Sequence, residues 1–535
     1  MIASLKTNLD STLDTSFKTS RVMRLALGVL LTILLVHFVI YLAFAAELIP
    51  FPFDYDQGEG HELYNAVLFS QGECPYCTYE AYPFYSSNYP PVFHLIMTPL
   101  VALFGPQYWI GRTIIFVSTL ITGASIAWAV FRKWQFRSVA LMAALLFFAS
   151  NFIYHLGPLL RQHLLMVMFE TFAVVILANA FDLPRQLRRR HLFIGFFLLL
   201  IAGYTKQLAY STCITVGLWA LLRNPRTAIV YSVGLIAAAI GIFAFAEITT
   251  NGYWSLNLIA ANSNPFIPEQ YTGLLKQFVT LHWPLLILSA VSVLYELFFD
   301  RLSLFSIWFV VSFASTIASG TWGAGDSYFA TTIAAACILS GNTLALAITK
   351  REALASRIRQ IALVGQIAAI ALLLIYSLRV IKLPTSGPVF GPIADALSVE
   401  PAPGHRYPLY DSAGWTVGYA VTGHFPSAQD YENGWYIVER IRESGRPAMT
   451  EDPGFMIQAG QEVVTNATQL NNLYINGLHD PAALVEAIED HTFGLIVLRA
   501  RFYPAPVLEA IDANYVLDEI VPMNGFDYEL WVPAS

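Results

Sequence analysis

Four carboxylates crowd into a short stretch near the start of the chain: Asp54, Asp56, Glu59 and Glu62, in FPFDYDQGEGHE, directly after the first long apolar run. Acids at a membrane surface are ordinary when solvated. Asp56 and Glu59, however, stand three apart at what reads as a helix entry, a spacing that brings two carboxylates to one site. Such a pair can work as a general base, as metal ligands, or as both.

Further ionisable groups sit where apolar runs begin or break. HLGPLLRQH (155–163) puts Arg161 and His163 at the mouth of a span. A lone His there is more often a hydrogen-bonded interface residue than a ligand. Glu170 lies two helical turns past His163, within an apolar run, where an ionisable side chain is costly and marks function; its expected partners are His163, Arg161 or Lys206. Lys206 falls in GYTKQLA beside Tyr204 and Gln207. It reads either as a snorkelling lysine or as an ammonium placed for a phosphate at the membrane interface. ANSNPF (261–266) and GTWGAGDSYF (320–329) are turns that contact ligand or simply turn sharply. Cys74 and Cys77, in CPYC, read as a local disulfide rather than a redox site, because no thioredoxin-like βαβ pattern surrounds them.

These groups must be held by membrane-embedded helices. Of the 535 residues 56% are hydrophobic and 13% charged, with a mean hydropathy of +0.54, a composition foreign to soluble domains. Eleven runs are long enough to be spans, near 22–46, 111–131, 138–156, 164–182, 192–204, 207–222, 227–246, 279–299, 302–319, 328–348 and 360–380. The run at 89–105 is short and carries Pro90, Pro91 and Pro99. Treating it as an interfacial helix collects most Lys and Arg, from Lys6 and Lys18 through Arg188–Arg190 to Lys350, on one side, as the positive-inside rule requires. The expected protein is therefore an all-α polytopic membrane protein of about eleven transmembrane helices, multi-pass in the plasma (inner) membrane. Its N-terminus is cytoplasmic, residues 1–380 form the membrane domain, and external loop one covers about 47–110.

Residues 381–535 differ in character. They hold 7 Lys/Arg against 20 Asp/Glu, whereas residues 1–380 hold 23 against 17. Short β-rich runs at 494–498, 515–520 and 528–532 alternate with helical patterns at 429–443, 480–490 and 504–513, which predicts a small C-terminal α/β domain outside the cytoplasm. The acidic tail and scattered cations argue against nucleic acid. No Walker loop or strand-linked GxGxxG is apparent, so no nucleotide is expected.

The pattern resembles the GT-C class of membrane glycosyltransferases and is similar to aminoarabinose transferases, protein O-mannosyltransferases and related bacterial multi-pass members. The resemblance is carried in order by DQGEG (56–60), NYPPVFHLIMTPLVALFG (88–105) with Gly111-Arg112, YTKQ (204–207), ANSNPF, GAGDSYF (323–329), EDPG (451–454) and FGLIVL (493–498). It implies a GT-C-like catalytic domain that moves a hexose or pentose from a polyprenyl-phosphate donor to an acceptor hydroxyl, with inversion, on the external face. The acceptor would be a lipid, glycan or protein of the cell envelope. It also implies Asp56 as the proton acceptor supported by Glu59; Lys206, Arg161 and Gln207 as donor-phosphate ligands; and Asp54, His163, Glu170 and Tyr204 in support. Where many such proteins carry a second acid in external loop two, this chain has His163. That leaves a mixed Asp56/His163 divalent-metal site, a metal-free mechanism, or a degenerate enzyme. The competing readings are a transporter or flippase for a lipid-linked or anionic solute, with Glu170 and Lys206 along its path, and a catalytically silent membrane scaffold.

Overall fold

The computed structural model describes residues 21–77, 79–353, 356–380, 388–396, 398 and 425–534. Lys6, Lys18 and most of the expected junction between membrane domain and tail, 381–424, lie outside the described residues.

Every one of the eleven apolar runs lies on helix. By length and composition seven helices can cross a bilayer: Met23–Leu48, Tyr108–Trp134, His163–Asp182, Pro225–Thr249, Pro268–Phe299, Asp326–Thr349 and Leu363–Val380. The chain is a multi-pass membrane protein on that ground. The expected eleven exceeds these seven because Arg137–Ala149, Arg185–Thr205, Tyr210–Arg223 and Leu304–Ser315 are shorter or less apolar. The Val92–Phe104 helix is 13 residues, about 20 Å against a hydrocarbon core of about 30 Å. It buries Phe93, His94, Met97 and Val101 and exposes Leu95, Leu103 and Phe104.

Burial separates centre from rim. The helix from Ala330 packs against Tyr108–Trp134, Arg137–Ala149, His163–Leu177 and Pro268–Phe299. Its small residues permit this: a Cβ on Gly341 would stand 2.9 Å from the Ala143 side chain and 3.0 Å from Val130, the close approach by which membrane helices associate. Pro225–Thr249 is the opposite case, exposing Ile229, Val230, Phe245 and Ile248. Such a surface is satisfied by lipid rather than water.

The tail forms a four-stranded sheet from β1 (Ala448–Thr450), β2 (Leu495–Leu498), β3 (Tyr515–Met523) and β4 (Phe526–Pro533), in the order β1-β2-β4-β3. β1 and β2 run parallel, and β4 pairs antiparallel with both β2 and β3. The three expected strands and three expected helices are present. β1 and the short helices Gly454–Ala459 and Ala467–Ile475 are additions. Asn524 and Gly525 both adopt positive φ, the backbone that a tight hairpin turn demands. That hairpin docks on loop one: Asn524 donates from Nδ2 to the Asp54 carbonyl at 3.1 Å.

Candidate active site

The DQGEG segment is held by a buried clamp. Glu59 opens the Glu59–Gln71 helix and accepts from Arg112 Nε at 3.0 Å and Nη2 at 2.8 Å. It also accepts backbone N–H groups of Tyr55 at 2.8 Å, Asp56 at 3.2 Å and Leu160 at 2.7 Å. Arg112 in turn donates to the carbonyls of Leu48, Phe51 and Phe53. Both side chains are fully buried. Burial alone would raise the Glu59 carboxyl, but Arg112 and the converging donors hold it below its ordinary value. Glu59 was expected to support proton transfer; its contacts shape loop one around Tyr55 and Asp56 and fasten it to the Tyr108–Trp134 helix and to Leu160 of the 155–163 segment.

Asp54 ties the same segment to the tail. Its oxygens accept from Tyr108 O–H at 2.6 Å, Gly60 N–H at 2.6 Å and Gly454 N–H at 3.0 Å. A Cβ at Gly60 would reach within 2.8 Å of Pro453, and one at Gly454 would strike the Tyr108 hydroxyl. Gly60 of DQGEG and Gly454 of EDPG are thus required by one close docking. Burial and the nearby Asp452 charge push Asp54 up to about 7.

Asp56 is different. It is buried, and neither carboxylate oxygen has a hydrogen-bond partner. Arg161 Nε stands 3.8 Å from Oδ2, and Arg161 Nη1 donates to the Gln57 carbonyl at 2.5 Å. Gly58, at φ +91°, leaves the room for that guanidinium, which any Cβ there would meet. Desolvation outweighs Arg161 and pushes Asp56 up to about 7, with Glu59 raising it further and Arg499 opposing. A carboxyl poised near neutrality with open lone pairs is suited to general base work.

Arg499 was not expected at the site. It is a tail residue, buried, with Nη1 3.3 Å from Asp452 Oδ2 and its guanidinium 4.4 Å from the Phe526 ring centre. EDPG places Asp452 beside it, while Glu451 accepts the N–H groups of Arg499, Ala500, Arg501 and Phe502 and so shapes the turn that presents it. EDPG was the available signal; its partner 47 positions on was not. Glu62, noted in the sequence, pairs with His94, which was not: the two stand 2.5 Å apart and buried, joining the Val92–Phe104 helix to Glu59–Gln71.

Lys206 is where the Arg185–Thr205 helix stops and the backbone turns extended. Its Nζ lies against His163 Nε2 and stands 4.7 Å and 5.6 Å from the ring centres of Tyr89 and Tyr328. Burial and the nearby Arg161 charge hold the ammonium well below its usual range, with Glu62 opposing. An arriving anion opposes both effects and favours the charged form. Lys206 and Gln207 line a cleft of about 410 Å³ that also takes in Tyr89, Tyr328 and, from the tail, Thr468 and Asn472. The turns at 261–266 and 320–329 both reach it, the latter pinned where Gln270 donates to the carbonyls of Ser319, Thr321 and Ala324.

Two expected members lie elsewhere. Glu170 accepts from Thr212 at 2.6 Å and Thr331 at 2.7 Å, not from His163, Arg161 or Lys206; two turns further into the bundle, hydroxyls are what its neighbours offer. Tyr204 donates to the Ala239 carbonyl at 2.6 Å and packs near Trp254, away from the cleft wall. Cys74 and Cys77 form the expected local disulfide. Among the described residues no three His, Cys, Asp or Glu side chains converge on one point. A divalent ion at Asp56 and His163 would therefore draw its remaining ligands from substrate and water.

The helical membrane part, the short Val92–Phe104 helix and the tail sheet docked on residues around Asp54 together make a GT-C-like fold. No family model matches the chain, and no curated protein matches it in sequence. Among solved structures, ArnT from Cupriavidus metallidurans bound to undecaprenyl phosphate aligns over 92% of this chain and 97% of its own, at 11% identity and a TM-score of 0.54. The same protein in its apo state aligns over the same shares at 12% identity and a TM-score of 0.52. What is shared at this identity is the fold.

Proposed function

We propose that this protein transfers a sugar from a polyprenyl-phosphate donor to an acceptor hydroxyl, with inversion, at the extracytoplasmic face of the inner membrane. The observation that carries the reading is Lys206 buried on the wall of a cleft, together with an unbonded Asp56 whose carboxylate has the Arg161 guanidinium 3.8 Å away. The shared fold with a protein crystallised with undecaprenyl phosphate supports the choice of a lipid phosphate.

In this reading the acceptor oxygen attacks the anomeric carbon while its proton passes to Asp56. The bond from that carbon to the phosphate oxygen breaks, and its electron pair leaves on the polyprenyl phosphate. Lys206 and Arg161 stabilise the charge developing there. Glu59, Asp54 and Arg112 act by position. A divalent ion, if used, would sit at Asp56 and His163 and share the phosphate charge.

The test offers purified protein a panel of lipid-linked sugars with an acceptor extract and measures released polyprenyl phosphate together with transferred sugar. Release coupled to transfer supports the reading. Intact donor in every assay, with solute movement across vesicles, would replace it with the transporter.

A further inference from the structure

Taking the transferase reading as its base, we infer that the cleft selects an uncharged sugar, and that the tail supplies part of the selection through Asn472. Lys206 is the one charged side chain among the described residues that line the cleft. The remaining polar lining is neutral, with the amides Asn88, Asn262, Asn264, Asn472 and Gln207 alongside tyrosine and threonine hydroxyls.

The amides are fixed by one another and by backbone carbonyls. Asn264 donates from Nδ2 to Asn472 Oδ1 at 3.1 Å and to the Trp322 carbonyl at 3.3 Å. Asn476 donates to Asn264 Oδ1 at 3.2 Å and to the Asn472 carbonyl at 2.9 Å. Asn262 donates to the Asn257 carbonyl at 2.9 Å. The turn at 261–266 and the tail helix Ala467–Ile475 are thereby locked together, and Asn472 is nearly fully buried at their seam.

This chemistry fits hydroxyls and not charges. A sugar hydroxyl both donates and accepts, and a carboxamide answers both ways at one position. With Asp56 committed to the anomeric centre, an ammonium elsewhere on the sugar would meet no carboxylate among the described residues that line the cleft and would share it with Lys206, a repelled charge that burial penalises. A carboxylate on the sugar would compete with the phosphate for Lys206, the one cation on the cleft wall. An uncharged ring leaves Lys206 to the phosphate and the amides to the hydroxyls.

The experiment uses the full chain in lipid nanodiscs and measures both binding and turnover of three polyprenyl-phosphate donors, bearing a neutral hexose, an amino sugar or a uronic acid. The neutral donor should bind at least tenfold more tightly than either charged one. Asn472→Asp, which brings a carboxylate to the wall, should shift the ratio of amino to neutral donor affinity upward by tenfold or more. Asn88→Asp, on the membrane-domain wall, repeats the test where Asn472→Asp disturbs folding. Equal or tighter binding of the amino sugar by wild type overturns the inference, as does an unchanged ratio in both variants. Preferential binding of the neutral donor without any transfer upholds the inference about the cleft while removing the transferase reading. Failure to bind any donor removes both.

Discussion

Arg161 Nε stands 3.8 Å from Asp56 Oδ2, beyond hydrogen-bond reach, while the same guanidinium donates to the Gln57 carbonyl at 2.5 Å. The arginine therefore offers its charge to Asp56 without occupying the carboxylate's lone pairs. A purely structural buried carboxylate is instead wrapped in donors, as Glu59 is.

Asp56→Asn keeps the volume and removes proton acceptance, so transfer should fall roughly 100-fold or more with donor affinity retained. In wild type the rate should rise with pH through about 7, the value to which burial pushes Asp56. Full turnover in Asp56→Asn would move the base elsewhere, and a flat wild-type profile from pH 5.5 to 8.5 would contradict an Asp56 held near neutrality.

The same burial has a stability consequence. Asp54 and Asp56 both sit near 7 in the folded chain, against about 4 when unfolded. Between these values the folded state holds more protons. Stability from these groups is thus fully present below about pH 4 and is lost as pH rises through about 7. Asp56→Asn should raise the apparent melting temperature by a few degrees at pH 8 and change it little at pH 4.5, in scans at matched rate. A variant that melts earlier at pH 8 would show that Asp56 has a stabilising partner.

Glu59 and Arg112 should behave as structure. Removing one member of a buried, hydrogen-bonded ion pair leaves an uncompensated charge and costs about 3–5 kcal/mol. Arg112→Met or Glu59→Gln should therefore lower folded yield and open loop one to protease, with turnover per folded molecule falling far less than in Asp56→Asn. Normal melting with a specific loss of rate in Glu59→Gln would restore Glu59 to the chemistry.

These contrasts mark what a linear sequence can show. Long apolar runs announce themselves, so all eleven fell on helix, and the tail's strands were legible where they were four residues or longer. β1, three residues long, was not. Asp54, Asp56 and Glu59 look alike on paper, because their environments come from far away: Gly454 lies 400 positions from Asp54, Arg112 lies 53 from Glu59 and Leu160 lies 101 from it. Arg499 was hidden for the same reason. Asn524-Gly525, by contrast, was a hairpin signal available in the sequence.

Lys206 separates chemistry from docking, and transferase from transporter. If its ammonium stabilises charge building on the departing phosphate, Lys206→Gln should lower the rate constant more than donor affinity, since only interactions stronger in the transition state accelerate the reaction. A loss of about 2–4 kcal/mol is the range for a single charge-stabilising group. Lys206→Arg should recover part of it: the charge returns, but a planar fork does not fit the pocket formed by His163, Tyr89 and Tyr328 as a point charge does. Single-turnover transfer and donor binding, measured together on wild type and both variants, decide the matter. Unchanged turnover with weakened binding would reduce Lys206 to a docking residue. A transporter would instead show altered flux of an intact solute in Lys206→Gln, with no sugar released from any lipid carrier.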